Sequence, residues 1–534
     1  MNNFLQQQKC FITTLAPVHM GAGEDYYPTQ YVMDDGSLYV FDEMQMSKAL
    51  GSNMMSQLAS LAETGDRALM AIQTEINKQK DKLKSIAEHC IPVAHGVQSI
   101  YTSRIGKTKQ DANNKLEIQR TFYNPFSALP VITGTGIKGA IRTAILDEIN
   151  KGNPLTNDIR NEKYQATALQ KKLLDYKGVD EDPLRLLKLG DSTYQHADNL
   201  NATEILFAAS RKRIPRERQE VNKMPVMLEC IAPWRSRSFA CDIALLDRTL
   251  AEQKAQKPFR IPVDLQAIAA TCNRYYRPKL EKELAVLDMR GYSHLNKTEA
   301  IWSRRLRALL VGELKGALDK NQVFLLRLGK HGGAEDKTLN GVRSIRIMRP
   351  KPQSAEFRDK TTEIRLAANN VGDTQNLMPF GWVLVELGEQ NLPETMSFIR
   401  EMAEPAYARL QKDAAHAAER EKALAEQQAR EKAEREKREA EEKAGSEKAA
   451  ALAAMSDEMR EIQSLLDRMA KGEDKGKGAG CQLAGSVGKI LETGVQWSAT
   501  DKQSLLEAAP RLLAHLGIDP KNDKWKKRIN ALKT

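Results

Sequence analysis

The chain has 534 residues, a formal net charge of +11 at pH 7 and a hydrophobic content of 41%. This length allows for about two to four domains, and the apolar content is sufficient for a buried core. The positive charge favours an anionic partner, either nucleic acid or an anionic membrane surface. Neither a run of about 18 apolar residues nor a signal-peptide pattern occurs, so we expect a cytoplasmic protein that does not span a membrane.

The cysteines are spread along the whole chain and form no C-x-x-C pair. They are Cys10, Cys90, Cys230, Cys241, Cys272 and Cys481. Zinc sites usually draw on such pairs, and disulfides are rare in a reducing cytosol. The phosphate-binding pattern G-x-x-x-x-G-K-[ST] is also absent, since Gly139 and Ala140 follow Lys138. The sequence therefore predicts no metal site, no structural disulfide and no cofactor.

Short apolar runs separated by Gly, Pro and Asp make up the chain as far as about residue 391. The run CFITTLAPV predicts a strand, and YVMDDGSLYVFD predicts a hairpin that turns at Asp35-Gly36. Further strands are predicted at Val323–Leu328, Val342–Met348 and Trp382–Leu387, with helical spacing over Ile137–Ile149. This mixture indicates an α+β body built on antiparallel sheets.

A highly charged segment follows, from about residue 405 to 443, and includes EREKALAEQQAREKAEREKREAEEK. It lacks the apolar a and d positions of a coiled coil. Acidic and basic residues spaced three and four apart favour a lone solvated helix of about 40 residues, roughly 60 Å long. We interpret it as a rigid spacer, with a partly disordered linker as the alternative. The tail after KGEDKGKGAG predicts a small helical domain or docking module.

The glycine-rich stretch PVITGTGIKGAIRTAILDEIN, at residues 130–150, predicts a loop that runs into a helix. Gly134 and Gly136 lack a Cβ, so their backbone can approach an anion closely. Lys138, which precedes Gly139, shares a helical face with Arg142 one turn later. A phosphate at this helix start would meet free N–H groups and two cations. A plain turn with solvated cations is the alternative.

Two other glycine-rich loops follow predicted strands, within LAPVHMGAGEDYYPTQY and LLRLGKHGGAEDKTL. The candidate residues are His19, Gly21 and Gly23 in the first loop and Lys330, His331 and Gly332 in the second. Tyrosines beside the first loop could stack on unpaired bases, and backbone amides with adjacent cations in the second could bind an anion. Purely structural roles for both loops are the alternative.

Together these stretches resemble the RAMP superfamily of CRISPR-associated proteins. LAPVHMGAGEDY resembles its first strand and loop, and VITGTGIKGAIRTAIL resembles its glycine-rich loop and helix. Thr133 stands where Pro is common, and Thr135-Gly136 where Ser-Ser is common, so the loop geometry is expected to differ. The order of these motifs with LGDS, RLGKHGG and MPFGWV is similar to the family of fifth subunits of Csm-type (type III-A) effectors. The resemblance covers roughly residues 9–390.

The resemblance implies two ferredoxin-like (RRM-like) RAMP modules, at 1–190 and 191–400. Composition adds a charged helical spacer at 401–446 and a small helical domain at 447–534, to which we carry over no function. The family further implies a non-enzymatic subunit that binds CRISPR guide RNA, caps the backbone filament at the 3′ end of the guide and supports guide maturation in antiviral defence. Its partners would be other Csm-type subunits, chiefly the backbone RAMP subunit, with target RNA met indirectly. Whether a host nuclease that trims the 3′ end is also a partner is left open, and no contact with a membrane is expected.

An endoribonuclease of the RAMP type is the main alternative, followed by a sibling RAMP subunit of a Cmr-type complex. Cleavage would need a base and an acid converging on a 2′-hydroxyl and its phosphate. The histidines that could serve are His19, His95, His196, His294 and His331. No pair of these histidines has a spacing typical of a catalytic site. Asp34 and Asp35 stand in a predicted hairpin turn, where aspartate is expected for its turn conformation alone. The sequence therefore predicts no catalytic residue.

Overall fold

The computed structural model describes residues 4–533 apart from 64, 66–67, 108–115, 196–199, 215–225, 297–298, 301 and 349–353. The chain divides into two compact units, Met1–Asp413 and Ala414–Thr534. Within the described part of the chain, none of the helices is both long and apolar enough to cross a membrane.

Strands occur only in the first unit among the described residues. The first eleven are β1 (Leu5–Thr14), β2 (Gly21–Tyr26), β3 (Tyr31–Asp34), β4 (Ser37–Val40), β5 (His89–Pro92), β6 (Ile118–Thr121), β7 (Tyr123–Asn124), β8 (Leu129–Pro130), β9 (Leu187–Leu189), β10 (Thr193–Tyr194) and β11 (Thr203–Lys212). The others are β12 (Val226–Ile231), β13 (Arg235–Leu246), β14 (His294–Asn296), β15 (Glu299–Ala300), β16 (Val323–Arg327), β17 (Ile345–Ile347), β18 (Glu356–Arg358), β19 (Glu363–Ala368), β20 (Met378–Pro379) and β21 (Trp382–Leu387).

Helices occur in both units. Those that begin in the first are α1 (Glu43–Ala62), α2 (Ala68–Lys78), α3 (Lys80–Ser85), α4 (His95–Arg104), α5 (Gly134–Asn150), α6 (Asn157–Arg160), α7 (Gln165–Leu174), α8 (Thr249–Ala255), α9 (Leu265–Arg290), α10 (Trp302–Val311), α11 (Glu313–Asp319), α12 (Pro393–Met402) and α13 (Glu404–Ala453). The second unit adds α14 (Asp457–Ala470), α15 (Gln482–Thr493), α16 (Ala499–His515) and α17 (Asp523–Ala531).

Two six-stranded sheets form the framework of the first unit. The first has the order β10-β13-β1-β21-β16, with β9 also paired to β13, and all its pairs are antiparallel. Helices α5 and α9 pack against each other and against β16. The second sheet has the order β2-β6-β12-β11-β19-β20, and only its β6–β12 pair is parallel. An α+β fold with antiparallel sheets is therefore confirmed.

Several locally encoded elements form where the sequence predicts them. The hairpin β3–β4 turns at Asp35 and Gly36, whose φ angles of 49° and 71° are the left-handed pair that Asp-Gly favours. The strand predicted at Trp382–Leu387 is β21, and helix α5 contains the predicted Ile137–Ile149. The strand predicted at Val342–Met348 is shorter, because only Ile345–Ile347 pairs, with β18.

Both large sheets combine strands from each side of residue 190, and one hydrophobic core runs from Cys10 to Ala403. The division into two ferredoxin-like modules stays a prediction. The start of α13 also belongs to the first unit, since Tyr407 and Leu410 pack against its core. Arg409 donates to the backbone oxygen of Gly36 and, at 3.1 Å, to Ser37 Oγ. The core therefore continues past the predicted module end at residue 400.

The second unit is helical throughout its described elements. Helix α13 has 50 residues, about 75 Å at 1.5 Å each, and contains the predicted helix over 405–443. Ion pairs four residues apart, such as Lys432–Glu436 and Arg438–Glu442, line its exposed surface. After it, α14 to α17 bury a separate cluster of side chains that includes Leu483, Leu505 and Trp525.

Candidate nucleic-acid interface

The loops that follow β1 and β16 meet each other, because both strands pair with β21. The backbone N–H of Lys330 donates to the carbonyl oxygen of His19 at 2.9 Å. Gly329 has a φ of +74°, and a Cβ there would lie 2.4 Å from the same oxygen. A Cβ at Gly21 would lie 2.6 Å from Lys330 Cε. At Gly329 only glycine fits without a shift of the neighbouring backbone, whereas a side chain at Gly21 would displace the end of the Lys330 side chain.

The second loop has a backbone suited to an anion. Residues 329, 331 and 333 have positive φ, whereas 330 and 332 do not. Alternation of this kind turns successive N–H groups toward one side and forms an anion-binding concavity. Within the described part of the chain, the N–H groups of His331, Gly332 and Gly333 have no hydrogen-bond partner, nor does Lys330 Nζ. The loop thus presents free donors and a free cation together.

Two histidines lie side by side at this junction, with ring centroids 6.3 Å apart. His19 Nδ1 lies 2.7 Å from the carbonyl oxygen of Glu229. The Nε2 atoms of His19 and His331 are buried and have no partner among the described residues. Burial lowers the pKa of His19, and burial followed by nearby His19 and Arg365 lowers the pKa of His331 to about 4. Both rings are therefore neutral at pH 7.

A buried ion cluster fixes the base of the second loop. Arg327, at the end of β16, donates to Glu283 of α9 at 2.8 Å and also binds Asp336. Its Nε donates to the carbonyl oxygen of Phe380 at 2.9 Å, and Trp382 Nε1 donates to Glu283 at 2.6 Å. Because Arg327 and Asp336 flank the loop in sequence, their contact holds its two ends together.

A second buried acid, Glu229 of β12, supports the first loop. Its carboxylate accepts from the Thr121 N–H at 3.1 Å, from the Tyr26 hydroxyl at 3.2 Å and from the Tyr123 hydroxyl. Burial raises the pKa of Glu229. The sequence offers no signal for this residue, because it stands in the ordinary strand run VMLECI. Its carbonyl oxygen orients His19, so the network positions the first loop.

The start of α5 lies beside the first loop, since a Cβ at Gly136 would lie 2.9 Å from Met20 Cε. Two N–H groups of its first turn already have partners: Gly134 N donates to Asp191 Oδ1 at 2.7 Å, and Gly136 N to Thr133 Oγ1 at 3.2 Å. Asp191 comes from the LGDS motif and places a carboxylate at the positive end of the helix. The phosphate predicted there would compete with this carboxylate.

The cations of α5 make internal contacts. Lys138 Nζ donates to the carbonyl oxygen of Leu187 at 2.8 Å, and burial lowers the pKa of this amine. Arg142 binds the Asp182 carboxylate and donates to Gln170 at 3.2 Å. Contacts of Lys138 and Arg142 with RNA stay a prediction, and the structure shows their side chains engaged elsewhere.

The other predicted residues are more dispersed. Gly139 and Gly23 are exposed, and a Cβ at either would meet nothing within 4 Å. His95 begins α4 and His294 begins β14, whereas His196 lies outside the described residues. No group of three or more His, Cys, Asp or Glu side chains within the described ranges could hold a metal ion. The structure thus brings together His19, Gly21, Lys330, His331 and Gly332 from the two loops.

The family comparison covers the part of the chain that carries the first loop and α5. Residues 11–243 match the model of the RAMP superfamily. A curated relative, the "CRISPR system Cms protein Csm5" of Streptococcus thermophilus, is 28% identical over 161 residues, which are 29% of this chain and 42% of the relative. The chain thus matches about two fifths of that relative's length. The predicted resemblance to the RAMP superfamily and to its Csm5 members is confirmed.

Two solved structures also align with most of the chain. One is a chain of the cryo-EM structure of a Csm-crRNA-target RNA ternary complex in a type III-A CRISPR-Cas system, with a TM-score of 0.44 and 16% identity over 71% of this chain and 100% of that chain. The other is the crystal structure of T. onnurineus Csm5, with a TM-score of 0.41 and 16% identity over 70% of this chain and 99% of that chain.

Proposed function

We propose that this chain is the guide-RNA-binding subunit of a type III-A Csm-type complex, and that the loops after β1 and β16 hold a phosphate of the RNA. The observation that carries the proposal is the set of free N–H groups at His331, Gly332 and Gly333 beside Lys330. Backbone N–H donors and a lysine bind the phosphate group, which is the same in every nucleotide, so these contacts do not distinguish one base from another. Binding should therefore depend steeply on salt and little on spacer sequence.

The finer roles rest on the resemblance to Csm5. The subunit would cap the backbone filament at the 3′ end of the guide, contact the backbone RAMP subunit, meet target RNA indirectly and support guide maturation. It would be non-enzymatic, and its first unit would consist of two ferredoxin-like modules. Sequencing of RNA that co-purifies with the chain tests this assignment, because repeat-derived guides with defined 3′ ends are expected. Random cellular RNA would contradict it.

The phosphate site is tested by Lys330→Ala. Loss of one phosphate contact should weaken binding to all RNA sequences alike and reduce the log–log salt slope by about 1. Lys320→Ala is the matched control, because Lys320 is an exposed lysine at the end of α11. Affinity and slope should be measured by fluorescence anisotropy at several salt concentrations. A folded Lys330→Ala protein with an unchanged slope would contradict the assignment.

RNA cleavage is a second candidate function, favoured by one observation: His19 and His331 lie 6.3 Å apart between ring centroids. Two neighbouring imidazoles could act as base and acid if one of them were protonated. Incubation of labelled RNA with the purified chain, with magnesium and with chelator, tests this function. Cuts that disappear in His19→Ala and in His331→Asn would support it, and intact RNA under both conditions would exclude it.

A further inference from the structure

A cavity of about 590 Å³ opens beside the second loop. Its walls are the end of β11, the two-stranded ribbon β17–β18, the start of β19 and residues 331–333. The free N–H groups of Gly332 and Gly333 therefore belong to residues that line this cavity. A volume of this size is typical of sites for small organic ligands and is far larger than a phosphate needs.

The charged side chains of the cavity leave two cations available. Lys212 pairs with Glu363, and Arg213 pairs with Glu335 at 3.2 Å. In contrast, Arg346 is exposed, and its side chain has no partner within the described part of the chain. Among the described residues, the Arg365 side chain makes one hydrogen bond, 3.2 Å long, to the carbonyl oxygen of Ala208. Arg346 and Arg365 can therefore meet an incoming anion without breaking an ion pair.

The ribbon that carries Arg346 also supplies apolar side chains to the cavity. Ile345 and Ile347 line the cavity and are half-buried, and Met348 is 72% exposed at its edge. Exposed apolar side chains next to unpaired arginines suit a ligand that is charged at one end and flat and apolar at the other. A nucleotide has this character, whereas a free phosphate does not.

We propose that the cavity takes one nucleotide of the bound RNA, the one attached to the phosphate at the second loop. Its phosphate lies at the N–H groups of Gly332 and Gly333 with Arg346 and Arg365, and its base lies against Ile345 and Ile347. The inference rests on the proposed function and adds where a single nucleotide of the RNA binds. It predicts one position of the RNA that is protected by this chain whatever its base.

The test uses the full chain and RNAs that carry one 4-thiouridine at successive positions. Cross-links to residues 345–348 should come from one or two adjacent positions only. Arg346→Ala and Arg365→Ala should each weaken RNA binding about fivefold, the equivalent of about 1 kcal/mol, and reduce this cross-link. Lys360→Ala is the matched control, because Lys360 is an exposed cation of the same segment that does not line the cavity.

The outcomes separate this inference from the proposed function. RNA binding that depends on Lys330 but gives no cross-link to 345–348 at any position overturns the cavity assignment and leaves the proposed function standing. The same holds if cross-links to 345–348 come evenly from every position. A cavity that binds free 5′-AMP while RNA gives no cross-link there would be a site for free nucleotides, which also overturns the inference. Absence of any RNA binding overturns both.

Discussion

His331 combines an unusual backbone conformation with a buried ring. Its φ of 68° lies in the left-handed region, and its Nε2 has no partner within the described part of the chain. An unpaired buried polar atom costs about 1–3 kcal/mol. Such a cost is tolerated at sites where a ligand completes the hydrogen bonding, so this residue is consistent with a binding role for its loop.

The lowered pKa of His331 predicts a loss of stability in acid. Its pKa of about 4 in the folded chain lies below the ordinary 6.5 of the unfolded chain. Between these values the unfolded chain binds more protons, so the free energy of unfolding should fall as pH falls from about 6.5 to 4. His331→Asn, which tolerates positive φ, should show a smaller decline. Urea unfolding at pH 7, 5.5 and 4.5 measures this decline in the free energy of unfolding. Equal declines in the original chain and in His331→Asn would contradict the prediction.

The N-terminus of helix α5 is capped by side chains of the protein itself. Asp191 and Thr133 accept hydrogen bonds from its first turn, and Ile137, Ile141 and Ile145 bury its apolar face. The sequence predicts this helix and its face well because both depend on local spacing. It does not predict the capping carboxylate, which comes from 57 residues further along the chain.

Asp191→Ala should lower the free energy of unfolding by about 1 kcal/mol, because it removes a capping acceptor and a charge that complements the helix dipole. Thermal and urea unfolding measure this loss. Asp359→Ala is the control, because Asp359 is an exposed acid outside α5. RNA affinity should stay unchanged. A clear rise in affinity would mean that a phosphate competes with Asp191 and would support the sequence-based site at Gly134 and Gly136.

The boundary between the two compact units lies at residue 413. Tyr407 and Leu410 pack against the first core, and Arg409 binds the hairpin turn at Gly36 and Ser37. The core cluster of the second unit draws on Ile462 and later residues. Each unit therefore has a hydrophobic core of its own.

A chain that ends at residue 413 should keep the thermal stability of the first unit and its RNA affinity. A chain that ends at 400 should lose about 2 kcal/mol, because it lacks the apolar surface that Tyr407 and Leu410 bury. Urea unfolding and anisotropy with guide RNA compare the two fragments with the full chain. Equal stability of both fragments would show that the start of α13 adds nothing to the first core.

Local patterns predict the hairpin at Asp35-Gly36, strand β21 and helix α5, but the interface depends on pairing between distant segments. Residues 19–21 and 329–333 meet only because β21 lies between β1 and β16. Nothing in the sequence of either loop indicates that the other loop lies beside it. Glu229 could not be identified either, since its partners come from β2, β6 and β7.

The central position of β1 has a consequence for synthesis of the protein. In the sheet, Cys10 of β1 lies opposite Cys241 of β13 on one side and opposite Leu387 of β21 on the other. Leu387 comes about 380 residues after Cys10 in the chain. At 5–20 residues per second, the ribosome needs on the order of 20 to 75 s to make that second partner. Throughout this interval the strand has an open edge, which is prone to aggregation. Nascent chains that stop short of residue 387 should therefore depend on chaperones, whereas finished chains close the sheet themselves.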